Sequence, residues 1–190
     1  MKRTVLAILA ACTLTAQSSP DGPQFTNGEL LLPRNYREWI FLSAGLGMTY
    51  GPAGQADQSN PRFDNVFVNP SSYRAFVETG RWPDKTILIL EVRRSVEKGS
   101  INNGGRYQSE IASIEATVKD EARFPQKWAY FDLGRTEKAP PLPANSRCNA
   151  CHGQNAAVEN TFVQFYPTLL EIATRKGTLN SSYTAKASGH

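Results

Sequence analysis

Methionine occurs only at positions 1 and 48, and histidine only at positions 152 and 190. That scarcity excludes any site assembled from several imidazoles or thioethers. The three cysteines, Cys12, Cys148 and Cys151, are too few to frame a small disulfide-stapled scaffold. No block of five or six Lys or Arg occurs, so nothing in the chain resembles a nucleic-acid patch. No apolar run is long enough to span a bilayer as a helix. What remains is a 190-residue chain, 40% hydrophobic and 20% charged, with the balance of an ordinary globular domain and enough length for its own core.

Met1-Lys2-Arg3 followed by the apolar stretch Thr4 to Ala11 reads as a secretory signal, with cleavage after Ala16. A rival reading takes Leu9-Ala10-Ala11-Cys12 as a bacterial lipobox whose Cys12 carries lipid. Either places the protein in the periplasm or outside the cell. Without the leader's two cations, 19 Lys+Arg of the total 21 face 17 Asp+Glu, so the mature charge is about +2.

Residues 17–27 are expected to be a mobile entry segment, 28–177 a single domain, and 178–190 a small, polar, flexible tail. Tyr36, Trp39 and Ile40 fall at helical spacing, which predicts a short helix over 34–42. Gly45 to Asn60 is rich in Gly, Pro, Gln and Asn and reads as a long functional loop. Val66 to Val68 predicts a strand, and 71–78 a helix capped by Asn69 and ended by Gly80. Over 86–93, Thr86, Leu88, Leu90 and Val92 alternate with Ile87, Ile89, Glu91 and Arg93, the pattern of a strand. A turn over 102–105 leads to strands at 107–119 and 128–133, then a Pro-rich link at 139–145. Beyond Cys148, the residues Phe162, Phe165, Leu169 and Ile172 share one helical face, closed by Gly177. The fold class is α+β, an antiparallel sheet with helices at both ends of the chain.

Cys148-Asn149-Ala150-Cys151-His152 is C-x-x-C-H, the attachment signature of a c-type haem. Two thiols at that spacing add to the two vinyl groups, and the next imidazole serves as proximal iron ligand. A structural zinc site lacks a second Cys or His pair. A thioredoxin-like redox pair belongs after an early strand, not after a Pro-rich link, and a plain disulfide or chance match is the remaining bland reading. Only Met48 or the tail His190 is left as a sixth ligand, so the expectation is a five-coordinate iron with an open face.

Several further segments extend this motif. They are Gly28 to Pro33, Asn35-Tyr36-Arg37-Glu38-Trp39, Asn69-Pro70-Ser71-Ser72-Tyr73, Thr79-Gly80, Glu115 to Asp120, Arg123-Phe124, and Phe162 with Phe165-Tyr166-Pro167. Together they make the chain resemble the cytochrome P-460 family, which includes the cytochromes c′-β, over roughly Gly28 to Arg175. The resemblance implies a homodimeric periplasmic haem protein built mainly of antiparallel β-structure. In its P-460 branch a Lys is bonded to the porphyrin and hydroxylamine or nitric oxide is oxidised. The c′-β branch lacks the bond and binds nitric oxide or carbon monoxide at an apolar face.

The position of that Lys falls here on Leu90, with Leu88 adding apolar bulk beside the porphyrin, and Lys85 lies five residues away on the opposite face of the strand. Glu115 matches a distal carboxylate of the enzyme branch and is the candidate catalytic group. A distal Arg of that branch falls on Asp64, with Arg62 nearby. Three functions stay open: capture or sensing of nitric oxide or a similar small ligand, oxidation of hydroxylamine, nitric oxide or peroxide, and electron transfer through a His152/Met48 haem. The redox partner is not legible.

Overall fold

The computed structural model describes residues 21–50 and 59–187. The leader with Cys12, the middle of the loop expected over 45–60, and His190 lie outside the described residues. Among the described residues no helix is long and apolar enough to cross a membrane.

A five-stranded antiparallel sheet forms the centre. Its strands are β3 (Ile40–Leu46), β4 (Phe63–Val68), β5 (Ile87–Val96), β6 (Tyr107–Lys119) and β7 (Trp128–Gly134), neighbours in space as they are in sequence. A three-stranded sheet of β1 (Gln24–Thr26), β2 (Glu29–Leu31) and β8 (Lys138–Ala139) covers one of its faces. Among the described residues four α-helices accompany the sheets: α1 (Pro70–Thr79), α2 (Arg147–Asn155), α3 (Pro167–Lys176) and α4 (Ser181–Ala187). The α+β class and the mainly antiparallel sheet are as expected.

Alternation along the strands divides the core in two. Ile87, Ile89, Ala116, Val118, Phe131 and Leu133 turn toward the small sheet, where Leu30, Tyr36 and Trp39 meet them. Val68, Leu88 and Trp128 turn the other way, against Phe76 of α1, Leu169 and Ile172 of α3, and Trp82. Beyond the reach of α1 and α3 this second face is left open to α2, and there the site forms.

Five local readings change. The stretch 34–42 makes only one 3-10 turn, Tyr36–Glu38, before β3 begins. Ile40 and Phe41 gain more by pairing with Val68 and Phe67 than the helical period offers. The entry segment holds β1, because Asn27 and Gly28, at φ 48° and 83°, make the tight turn that folds β1 onto β2. At α1, Asn69 occupies the cap position but its side chain accepts from the Ile87 N–H at 3.0 Å, fastening the helix to β5. The capping acceptor is Asp21, whose carboxylate takes the Ser71 N–H at 2.8 Å. Toward the C-terminus, Pro167 breaks the expected single helix, since the residue before a proline avoids helical geometry. Phe162 and Phe165 thus lie outside α3. The tail read as polar carries α4, whose Lys186 Nζ donates to the Gln154 carbonyl at 3.0 Å and to Asn155 Oδ1 at 2.8 Å at the end of α2.

Candidate functional site

Helix α2 is short and rich in poor helix formers, so it depends on what surrounds it. Ser146 caps it by accepting the Asn149 N–H at 3.4 Å, Lys186 closes its far end, and Arg147 donates to the Tyr50 carbonyl at 2.7 Å. Cys148, Cys151 and His152 fall at i, i+3 and i+4, one face of a helix. Both thiols are free and half-buried. Burial first, then Glu115, Cys151 and Asp132, push the Cys148 thiol pKa up.

His152 Nδ1 lies 2.8 Å from the Asn160 carbonyl oxygen. A carbonyl only accepts, so Nδ1 carries the proton and Nε2 keeps its lone pair free. The ring packs between Tyr130 and Phe162, with centroids at 4.4 and 4.2 Å. Burial lowers its pKa against the smaller opposing effect of Asn160, so the imidazole is neutral at neutral pH. A neutral ring with the Nδ1 proton engaged is the tautomer that ligates metal through Nε2.

Next to α2 lies a cavity of about 420 Å³, lined by Cys148 and His152 on one side and by the open sheet face on the other. Val66, Leu88 and Leu90 give that face an apolar stripe across β4 and β5. Three carboxyls, Asp64, Glu115 and Asp132, border it, with Glu115 directly opposite both Leu90 and Asp132 in the strand register. Surrounding protein atoms raise the Glu115 pKa, and Asp132 and Asp64 add to the effect, although the side chain stays exposed at the cavity's open side. Desolvation raises Asp64 to about 6, against the pull of Arg62. A neighbouring cavity shares Met48, Tyr50, Asp64, Leu90 and Glu115 with the first.

The structure thus brings Cys148, His152, Leu88, Leu90 and Glu115 together at one cavity. Cys151 sits beside it on α2 but is not part of the lining. Lys85 is turned away and is ion-paired with Asp120. No lysine is among the residues lining either cavity. Met48 does line both, with its sulfur packed over Gly45. The sequence reading placed no site role on Tyr130, Tyr50 or Asp132. Tyr130 and Asp132 follow the alternation of β7 and could have been assigned to Glu115's face through the pairing alone.

The residues fit a haem. Two free thiols and a bare Nε2 share one helical face against an apolar wall, and among the described residues no cluster of three or more His, Cys, Asp or Glu is arranged to chelate a metal ion instead. Asp64 offers a check on the cavity's electrostatics. A carboxyl with a raised folded pKa costs stability as pH climbs past its unfolded value near 4, and the full cost stands above about 6. Asp64→Asn is therefore expected to raise the thermal unfolding midpoint at about pH 7.5 and leave it unchanged at about pH 3.5.

The family model described as Cytochrome P460 matches residues 33–163. No curated protein matches the chain.

Proposed function

The chain belongs to the cytochrome P460 family, which implies a haem cofactor, and from that premise we propose that it is a c-type haem protein that binds nitric oxide or a similar small ligand. Cys148 and Cys151 hold the haem covalently, and His152 is its only protein ligand. When bound, the haem supplies an iron whose sixth position a small ligand can occupy. The protein works in the periplasm or outside the cell, as a homodimer.

The observation that carries this reading is the wall around Leu90. Leu90, Leu88 and Val66 line the cavity, and no lysine does. An alkyl wall offers no nucleophile toward a porphyrin and no hydrogen bond to a diatomic, so retention depends on the iron–ligand bond and on packing. His152 supplies the electron-donating nitrogen, and Tyr130 and Phe162 keep its ring in place.

Glu115 favours a second reading, oxidation of hydroxylamine, nitric oxide or peroxide. A carboxyl with a raised pKa inside the cavity can take a proton from a nitrogen ligand. Met48 favours a third, electron transfer, because it stands at the cavity wall.

Absorption spectra of the purified holoprotein, with a nitric oxide titration, separate the three. The expected ferric spectrum is high-spin and unchanged by Met48→Leu, with stoichiometric nitric oxide uptake by the ferrous form and little turnover of hydroxylamine. Mass spectrometry of haem peptides should show two thioether links and no lysine bond, and Leu90→Lys should add one if its amine reaches the macrocycle. A native peptide with lysine joined to haem overturns gas binding in favour of the enzyme. A low-spin spectrum that turns high-spin in Met48→Leu overturns it in favour of electron transfer.

A further inference from the structure

The carbonyl that engages His152 belongs to a turn with little regular structure of its own. Residues 156–162 contain only an isolated bridge between Val158 and Thr161, and Glu159 within it takes φ 49°. A residue with a Cβ resists that conformation, so something must impose it.

Three remote segments do so. Lys119, buried at the end of β6, donates through Nζ to Glu159 Oε2 at 2.8 Å and to the Trp82 carbonyl at 2.7 Å. The other Glu159 oxygen accepts the Trp82 N–H at 3.2 Å. From the far side, Asn180 Nδ2 donates to the carbonyls of Ala156 and Glu159 at 2.9 and 2.8 Å, and its Oδ1 accepts the Glu159 N–H at 3.2 Å. Thr161 Oγ1 accepts from Trp82 Nε1 at 2.7 Å and donates to the Val158 carbonyl at 2.8 Å. Neither Lys119 nor Asn180 lines the cavity. Together these bonds hold the chain at Glu159 and Thr161, the residues on either side of Asn160.

We propose that Lys119, Glu159 and Asn180 form a clamp that sets how strongly the Asn160 carbonyl accepts from His152 Nδ1, and thereby the redox poise of the iron that Nε2 would hold. They are positioning residues, and the inference rests on His152 being the proximal ligand. A carbonyl held firmly against Nδ1 draws on its proton and makes Nε2 a stronger donor, which favours the ferric state. Tyr130 donates to the same oxygen at 3.4 Å, so the acceptor is shared and its placement matters more. Loosening the clamp weakens the bond to Nδ1 and shifts the balance toward ferrous iron.

The test is the midpoint potential of the holoprotein, measured by spectroelectrochemical titration, for wild type, Asn180→Ala, Lys119→Met and Lys119→Arg, with the ferric spectrum of His152→Ala alongside. Asn180→Ala and Lys119→Met are expected to raise the potential by the equivalent of about tenfold in the redox equilibrium, about 59 mV for one electron. Lys119→Arg, which keeps the charge and the donors, should stay near wild type. Should Lys119→Met yield no holoprotein, Asn180→Ala decides. A changed spectrum in His152→Ala with unmoved potentials in the clamp variants overturns the clamp alone, even if those variants melt earlier. An unchanged spectrum in His152→Ala overturns the ligand assignment and the clamp with it.

Discussion

Alanine at both Cys148 and Cys151 is expected to leave no haem on the denatured chain, whereas wild type matured with c-type attachment machinery retains all of it. Without the two thioether bonds, only one coordinate bond and apolar contact would hold the cofactor, and both end when the fold does. The geometry gives the two single variants different strengths. Cys148 stands in the cavity wall, and Cys151 lies one turn on, outside the lining. Cys148→Ala should therefore lose more haem than Cys151→Ala. Haem staining of denaturing gels checks both statements. Full staining of the double variant would show that the attachment lies elsewhere.

The largest effect expected on stability belongs to Glu91. It is 2% exposed, on the face of β5 turned away from the cavity. Its carboxylate accepts from the Tyr36 hydroxyl, from Arg93, and from Arg37 at 2.6 and 2.9 Å. Glu91→Ala leaves a buried hydroxyl without its acceptor and two partly exposed cations without theirs, a loss of about 2–3 kcal/mol. Against a total of roughly 5–15 kcal/mol for a domain, that is a large share of the margin. Burial alone would raise the Glu91 pKa, but the hydrogen bonds from Arg93, Tyr36 and Arg37 outweigh it and the net shift is downward. A lowered folded pKa gives stability that is present above the unfolded value near 4.3 and lost as pH falls through the folded one. Urea unfolding across pH should show that acid loss in wild type and a shallower one in Glu91→Gln. An Ala variant as stable as wild type would contradict the assignment.

Strands β5, β6 and β7 could be read in the sequence because each buries one face or both and shows it as alternation. Helix α1 could be read because Pro70 and Gly80 mark its ends. Residues 34–42 misled because three aromatic and aliphatic positions at helical spacing also suit a turn followed by a strand, and only the partner strand decides between them. Helix α4 left little signal, since its one apolar anchor on the core, Tyr183, makes no periodic stripe, and the rest of its hold is hydrogen bonding from Lys186 to α2 and from the preceding Asn180 to the 156–162 turn. The motif named His152, Cys148 and Cys151, and alternation put Leu88 and Leu90 on one wall. What orients His152 is a backbone carbonyl, and a carbonyl has no residue type to recognise. Met48, which composition alone marks as a candidate ligand, is delivered to the cavity wall by the end of β3.

Leu90 and Glu91 are consecutive, and they serve opposite sides of one sheet: an apolar cavity wall, and a charged cluster built on a buried carboxylate. The two sides are therefore inherited differently. Replacing the side chain at Leu90, which belongs to neither core cluster, alters the pocket and leaves the charged cluster alone, so chemistry at this wall can drift without endangering the fold. Inserting or deleting a single residue early in β5 would turn the carboxylate into the pocket and an aliphatic chain onto two guanidiniums. The length of this strand is under tighter constraint than its composition.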